Sequence, residues 1–176
     1  MEGGEMKIEG KLIKYKLTDS KGFTKGNTLW KPGRINLAMG EGTKLCTDGV
    51  IHFYNSPIVA VLLNPIHANI TNPLLWEIEV DGIVAHDGTK GGTKAATAIK
   101  QISLPEISTT QKIRFAILCT LEVYQESSFV LWANNWLSGK DRTEAAARAA
   151  WAAARAAAEW KKINLPALAL KAMGGE

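Results

Sequence analysis

Residues 45–82 read LCTDGVIHFYNSPIVAVLLNPIHANITNPLLWEIEVDG, and this stretch decides the fold. No Lys or Arg occurs between Lys44 and Lys90, although the chain of 176 residues carries 21 of them. Lys and Arg are almost never fully buried without a partner, so a long gap in them marks the buried centre of a domain. Val50 to Tyr54 alternates as a strand, with Val50, His52 and Tyr54 on one face and Ile51 and Phe53 on the other. Pro57 then opens a helix expected to reach Leu63, because proline is pre-set for the first helical turn. After a turn, Leu74 to Val80 reads as a second strand.

Outward from this block the pattern stays mixed. Residues 11–17 (KLIKYKL) alternate, placing Ile13, Tyr15 and Leu17 on one side and Leu12, Lys14 and Lys16 on the other. Residues 19–44 show little periodicity and read as a glycine-punctuated loop carrying Trp30 and Arg34. Residues 85–97 (AHDGTKGGTKAAT) read as a second loop, which fits neither the GxxxxGK[ST] nor the GxGxxG phosphate-binding pattern. A strand at 98–104 ends at Pro105. From Ser108 the period becomes helical: Ser108 and Gln111 make a capping box, and Ile113, Ile117, Leu121 and Tyr124 form one stripe of a helix expected to run to about Gln125. A second helix spans Phe129 to Leu137 and stops at Gly139. An Ala-rich helix is expected over about 142–162, carrying Trp151 and Trp160. The fold class is therefore α+β: a small twisted β-sheet with packed helices over residues 1–105, followed by a helical C-terminal subdomain over 106–176.

A formal net charge of +4 is compatible with an anionic ligand, but it falls short of the dense basic face of a nucleic-acid binder, so nucleic acid is an unlikely partner. The two cysteines, Cys46 and Cys119, match no zinc spacing and read as buried reduced thiols. With no membrane-length apolar run, the expectation is a cytoplasmic protein without a membrane partner.

No arrangement for nucleophilic catalysis is visible, and none of the three histidines has a partner at metal-ligand spacing. Glu77 and Glu79 share a strand face and read as solvated. The unusual feature is the polar decoration of the apolar centre: His52, Tyr54, Asn55, Asn64 and His67 fall within sixteen positions. Buried polar groups need partners. A hydrogen-bonded turn network and the floor of a ligand pocket both account for them. On the second reading Trp30 and Tyr54 are candidates to stack a base, Lys16 and Arg34 to hold phosphate, and His52 and Asn64 to orient the ligand. No cofactor and no metal are expected.

Two resemblances accompany these motifs. KYKLTD (14–19), GVIHFYNSPIVA (49–60) and LLWEIEVDG (74–82) resemble, in order, the strands and Tyr-bearing segment of the ADP-ribosyltransferase fold. Lys16 stands where that family has a His or Arg, and Gln101 stands where its catalytic Glu is sought. The resemblance thus implies a degenerate, nucleotide-shaped cleft without transferase chemistry. LCTDGVIHFY, AVLLNPIHANI, KIRFAILCTLEVYQE and the Ala/Arg/Trp-rich tail are similar to an uncharacterised family of phage and prophage proteins. That similarity implies viral origin and the host bacterial cytoplasm. Together these readings lead to a phage-encoded, non-catalytic homo-oligomer that sequesters a nucleotide-type immune signalling molecule as an anti-defence sponge. The alternatives are an enzyme acting on ADP-ribose or a nucleotide, and an interaction protein that blocks a host protein.

Overall fold

The computed structural model describes residues 8–140, 142 and 163–174. It divides into two compact units, Met1–Pro105 and Glu106–Glu176. The Ala-rich helix expected at 142–162 lies outside the described residues.

The first unit is built on two long strands. Strand β1 (Ile8–Thr18) and the later strand β6 (Leu74–Ile83) pair antiparallel from Thr18↔Leu74 to Lys11↔Asp81, with an irregularity before Ile8↔Ile83. Between them in sequence come β2 (Phe23–Thr24), β3 (Thr28–Leu29), β4 (Ile35–Leu37), β5 (Ile51–Phe53) and helix α1 (Pro57–His67). After β6 come β7 (Ala85–His86), β8 (Gly91–Thr93) and β9 (Ala95–Ile102). The main sheet has the order β1-β6-β9-β4, all antiparallel; β5-β8-β7 form a second sheet, and β2 and β3 a short hairpin.

Register decides which side chains go inside. Leu12, Val80, Ala96 and Asn36 are cross-strand partners, so they share the inner face. That face carries the core of Trp30, Phe53, Trp76, Ile78, Val80 and Ala98. On the outer face Lys11 pairs with Glu79 at 2.8 Å and Lys100 lies 3.8 Å from Glu77, so each glutamate has its own lysine. Near the strand end, Trp76 donates its Nε1–H to the Thr18 hydroxyl at 3.0 Å, which satisfies two buried polar groups at once.

Several elements depart from what the sequence suggests. Residues 19–44 hold β2, β3 and β4 rather than a plain loop. Residues 85–97 are mostly strand: β7 and β8 flank a tight turn in which the Asp87 carboxylate accepts from the Thr89 and Lys90 amides and from the Thr89 hydroxyl. No apolar alternation marks β8, because its buried positions are Gly91, Gly92 and Thr93. The reason is close approach. A Cβ on Gly91 would stand 2.2 Å from the ring of Phe53, which is fully buried against this backbone. Helix α1 continues four residues past Leu63, through Pro65, before ending at His67. Of the cysteines, Cys119 is buried but Cys46 is exposed, and both are free thiols.

In the second unit, α2 (Thr109–Leu121) starts at the capping box of Ser108 and Gln111. It ends at Leu121, four residues short of Gln125, and leaves Tyr124 largely exposed. Helix α3 (Ser127–Leu137) is capped by the Glu126 carboxylate, which accepts from the amides of Ser128 and Phe129. It closes at Gly139, whose φ of +82° suits glycine. Helix α4 (Leu165–Ala172) packs against α2, and Ile117, Ala133 and Trp136 form a small core. Burial holds the Cys119 thiol in its protonated form, its pKa pushed up to about 12.

Gly91→Ala is expected to cost about 1–3 kcal/mol, because the Phe53 ring has nowhere to move in a packed core. Ser108→Ala, which removes a cap but no packing, should cost about 1 kcal/mol. Urea unfolding of the two variants measures both, and the ordering Gly91 above Ser108 is the firm expectation.

Candidate functional site

The sixth residue of the regular β1–β6 ladder brings a lysine to the inner face. Lys16 is in register with Trp76. Its Nζ lies 5.5 Å from the centre of the Trp30 ring and donates to the backbone carbonyl of His52 at 2.6 Å. Among the described residues no carboxylate is paired with this ammonium. Burial therefore acts on it unopposed and lowers its pKa to about 8. Lys14, two residues earlier on the same face, lies 5.8 Å from the Phe53 ring centre, and its pKa too is lowered by burial.

From Lys16 a chain of contacts runs outward. His52 presents Nε2 to the backbone N–H of Cys46 at 2.8 Å, so in its neutral form the ring proton sits on Nδ1. Cys46 holds a left-handed backbone (φ +64°), and its Sγ accepts from Lys90 Nζ at 3.2 Å. Burial first, and then the charges of Lys16 and Lys90, depress the His52 pKa to about 4. The next residue of the strand face, Tyr54, exchanges two backbone hydrogen bonds with Tyr15 of β1 at 3.0 and 2.8 Å. Its ring stacks on His67 with centroids 5.9 Å apart and planes 12° apart, and its hydroxyl lies 3.3 Å from His67 Nδ1. Burial, with Asp87 adding to it, raises the Tyr54 pKa to about 12; burial lowers that of His67, with Lys90 acting in the same direction. Burial alone would raise Asp87, but the hydrogen bonds from Thr89 and Lys90 outweigh it and hold the carboxyl below its ordinary value.

Near neutral pH the cluster is therefore rich in donors. It holds the Lys16 and Lys90 ammonium groups, a His52 Nδ1–H and the Tyr54–His67 pair. Its one carboxylate, Asp87, is taken up by its own turn. Among the described residues, no group of three His, Cys, Asp or Glu is placed to hold a metal ion.

Of the six residues that the sequence groups together, Lys16, His52 and Tyr54 fall in this cluster. Trp30 does touch Lys16, but it is core: the residue is 2% exposed and its Nε1–H is donated to the Thr24 hydroxyl at 3.1 Å. A base cannot stack on a ring so enclosed without opening the sheet. Asn64 is a clip, its amide nitrogen donating to the Ile70 carbonyl at 2.9 Å and its oxygen accepting from the Ile70 amide at 3.0 Å. For this residue the turn-network reading describes the contacts. Arg34 is exposed beside β4, and Lys16 is on β1, at opposite edges of the sheet. Three inter-strand spacings of about 4.8 Å separate those strands. Gln101 is exposed on β9, across Trp76 from Lys16. Sequence reasoning missed Asp87, Lys90 and Cys46. The Asp-Gly pair at 87–88 signals a hairpin tip, and reading it as one would have brought Lys90 toward β5.

Comparison of the chain with protein-family models, curated proteins and solved structures gave no match. Among the described residues no helix is long and apolar enough to cross a membrane.

The shifted groups set a pH dependence. An unfolded histidine titrates near 6.5, and folded His52 at about 4, so between those values the unfolded chain binds more protons. Stability is full above about pH 6.5 and falls as pH drops toward 4, with His67 acting in the same direction. Lys16 follows the same rule at alkaline pH, where stability rises between about 8 and 10.5. His52→Gln should flatten the acid limb of a plot of unfolding free energy against pH. Lys16→Met should stabilise the fold at pH 7 by about 1 kcal/mol, since a desolvated, uncompensated charge is removed. A lower melting temperature for Lys16→Met would show that its bond to His52 outweighs its desolvation.

Proposed function

We propose that this chain binds a phosphate-bearing, nucleotide-type ligand at the Lys16–His52–Tyr54–His67–Lys90 cluster and holds it without turning it over. The observation that carries the reading is the Lys16 ammonium, half-buried on the inner face and, among the described residues, without a carboxylate partner. A charge kept so against its desolvation cost is suited to an anion that arrives later, as local rules are broken most often where a protein acts. His52, neutral and protonated on Nδ1, adds an uncharged donor, and the Tyr54–His67 stack adds aromatic surface for a base. The resemblance to phage and prophage proteins supplies the setting: sequestration of an immune signalling nucleotide in a bacterial host. Catalysis has less support, because Gln101 cannot serve as the carboxylate of an ADP-ribosyl transfer and Asp87 is engaged in its turn.

Calorimetry with ADP-ribose and with cyclic di- and trinucleotides tests this directly. At least one should bind, adenosine should not, and Lys16→Met should weaken binding tenfold or more while leaving the protein folded. Ligand released by heating should be chemically unchanged, and NAD should yield no free nicotinamide. Degraded ligand would favour the enzyme reading. Failure of the whole panel to bind the folded protein would sink the proposal and bring forward a protein-blocking role.

A further inference from the structure

The two edges of the main sheet are treated differently. The β1 edge carries Lys11, Lys14 and Lys16 and is engaged by Tyr54 through two backbone bonds. Lysines and a docked segment are what keep an edge from pairing with another chain. The β4 edge has neither. Its residues are Ile35, Asn36 and Leu37, and β9 is its neighbour on one side alone.

Backbone parity shows what this edge offers. Ala98 N–H donates to Arg34 O and Ala38 N–H to Lys94 O, so the even-numbered residues of β4 turn their peptide groups toward β9. Ile35 and Leu37 must then turn theirs outward. Their side chains are 65% and 67% exposed, and Met39 is 70% exposed beyond them.

The geometry points to self-association of this chain through β4, in an antiparallel two-fold pairing centred on Asn36. In that register Ile35 faces Leu37 of the second copy, and each pair exchanges two backbone hydrogen bonds, four in all. Shifting the centre by one residue either way places only one of the two outward residues opposite an outward residue of β4. The register also brings Ile35 and Leu37 of both copies together on one sheet face, where cross-strand apolar pairs add stability. The two Arg34 side chains stay about 13 Å apart along the strand, four residues at 3.3 Å each. An isologous contact of this kind closes on itself and stops at two copies. It is independent of the ligand reading.

Sedimentation velocity on the full chain over a wide concentration range, paired with hydrogen exchange resolved at single amides, tests it. The average mass should rise toward two chains, and the Ile35 and Leu37 amides should exchange at least tenfold more slowly in the concentrated sample. Leu37→Lys and Ile35→Lys, both at exposed positions, should raise the concentration for half-association at least tenfold with an unchanged circular dichroism spectrum. A chain that stays monomeric throughout would overturn the proposal. So would association that both lysine variants leave intact, or exchange at Ile35 and Leu37 that ignores concentration.

Discussion

The antiparallel ladder between β1 and β6 is the constraint on which the first unit depends. A slip of one residue in this pairing would move every side chain of β1 to the opposite face. Trp76 would lose its hydrogen bond to Thr18, and Lys16 would leave the Trp30 ring for solvent. The ladder is held by the apolar content of its inner face, where Ile78 and Val80 are fully buried. Because those residues fix the register, β1 has no freedom to present its lysines elsewhere. The fold thus imposes a half-buried cationic side chain on the inner face of its own sheet.

That imposition links packing to chemistry. A buried ammonium is normally offset by a carboxylate, and the available carboxylates are employed otherwise: Glu77 and Glu79 on the outer face, Asp87 in the β7–β8 turn. What surrounds Lys16 instead is a carbonyl, an indole ring and the His52 imidazole held neutral, with the His67 imidazole farther out against Tyr54. Neutral imidazoles add hydrogen-bonding capacity without adding charge repulsion. Within the cluster, Lys16 and His52 are held by strands, whereas Cys46 and Lys90 stand on turns and His67 on the last turn of α1.

Much of the architecture was legible in the sequence, for identifiable reasons. The gap in basic residues from 45 to 89 located the centre, the alternation at 11–17 gave a strand, and the Ser108–Gln111 capping box placed a helix start. What stayed hidden had physical causes. Strand β8 is invisible to any hydrophobic scale because glycines let Phe53 lie against its backbone. The inward face of β1 carries Lys14 and Lys16, which alternation alone reads as the solvent side. The sequence ends α1 too early because a proline normally breaks a helix, whereas here the helix runs on through Pro65 to His67. For the site, residue types were a fair guide along the 52–54 strand and a poor one at long range. Nothing local distinguishes Trp30 as core from Trp30 as a platform, and nothing local places Arg34 on the far edge.

The clip made by Asn64 has a further consequence. By bonding both ends of its amide to Ile70, this one side chain closes the segment 64–70 into a ring whose shape is set within itself. Inside that ring Pro65, Ile66, Ala68 and Asn69 are exposed, and His67 alone turns back to meet Tyr54. The segment is therefore an exchangeable cassette. Ile66 and Ala68 can change without touching that closure, whereas Asn69, at a left-handed φ of +49°, is restricted to the few residues that tolerate it, and the bonds of Asn64 keep His67 against Tyr54.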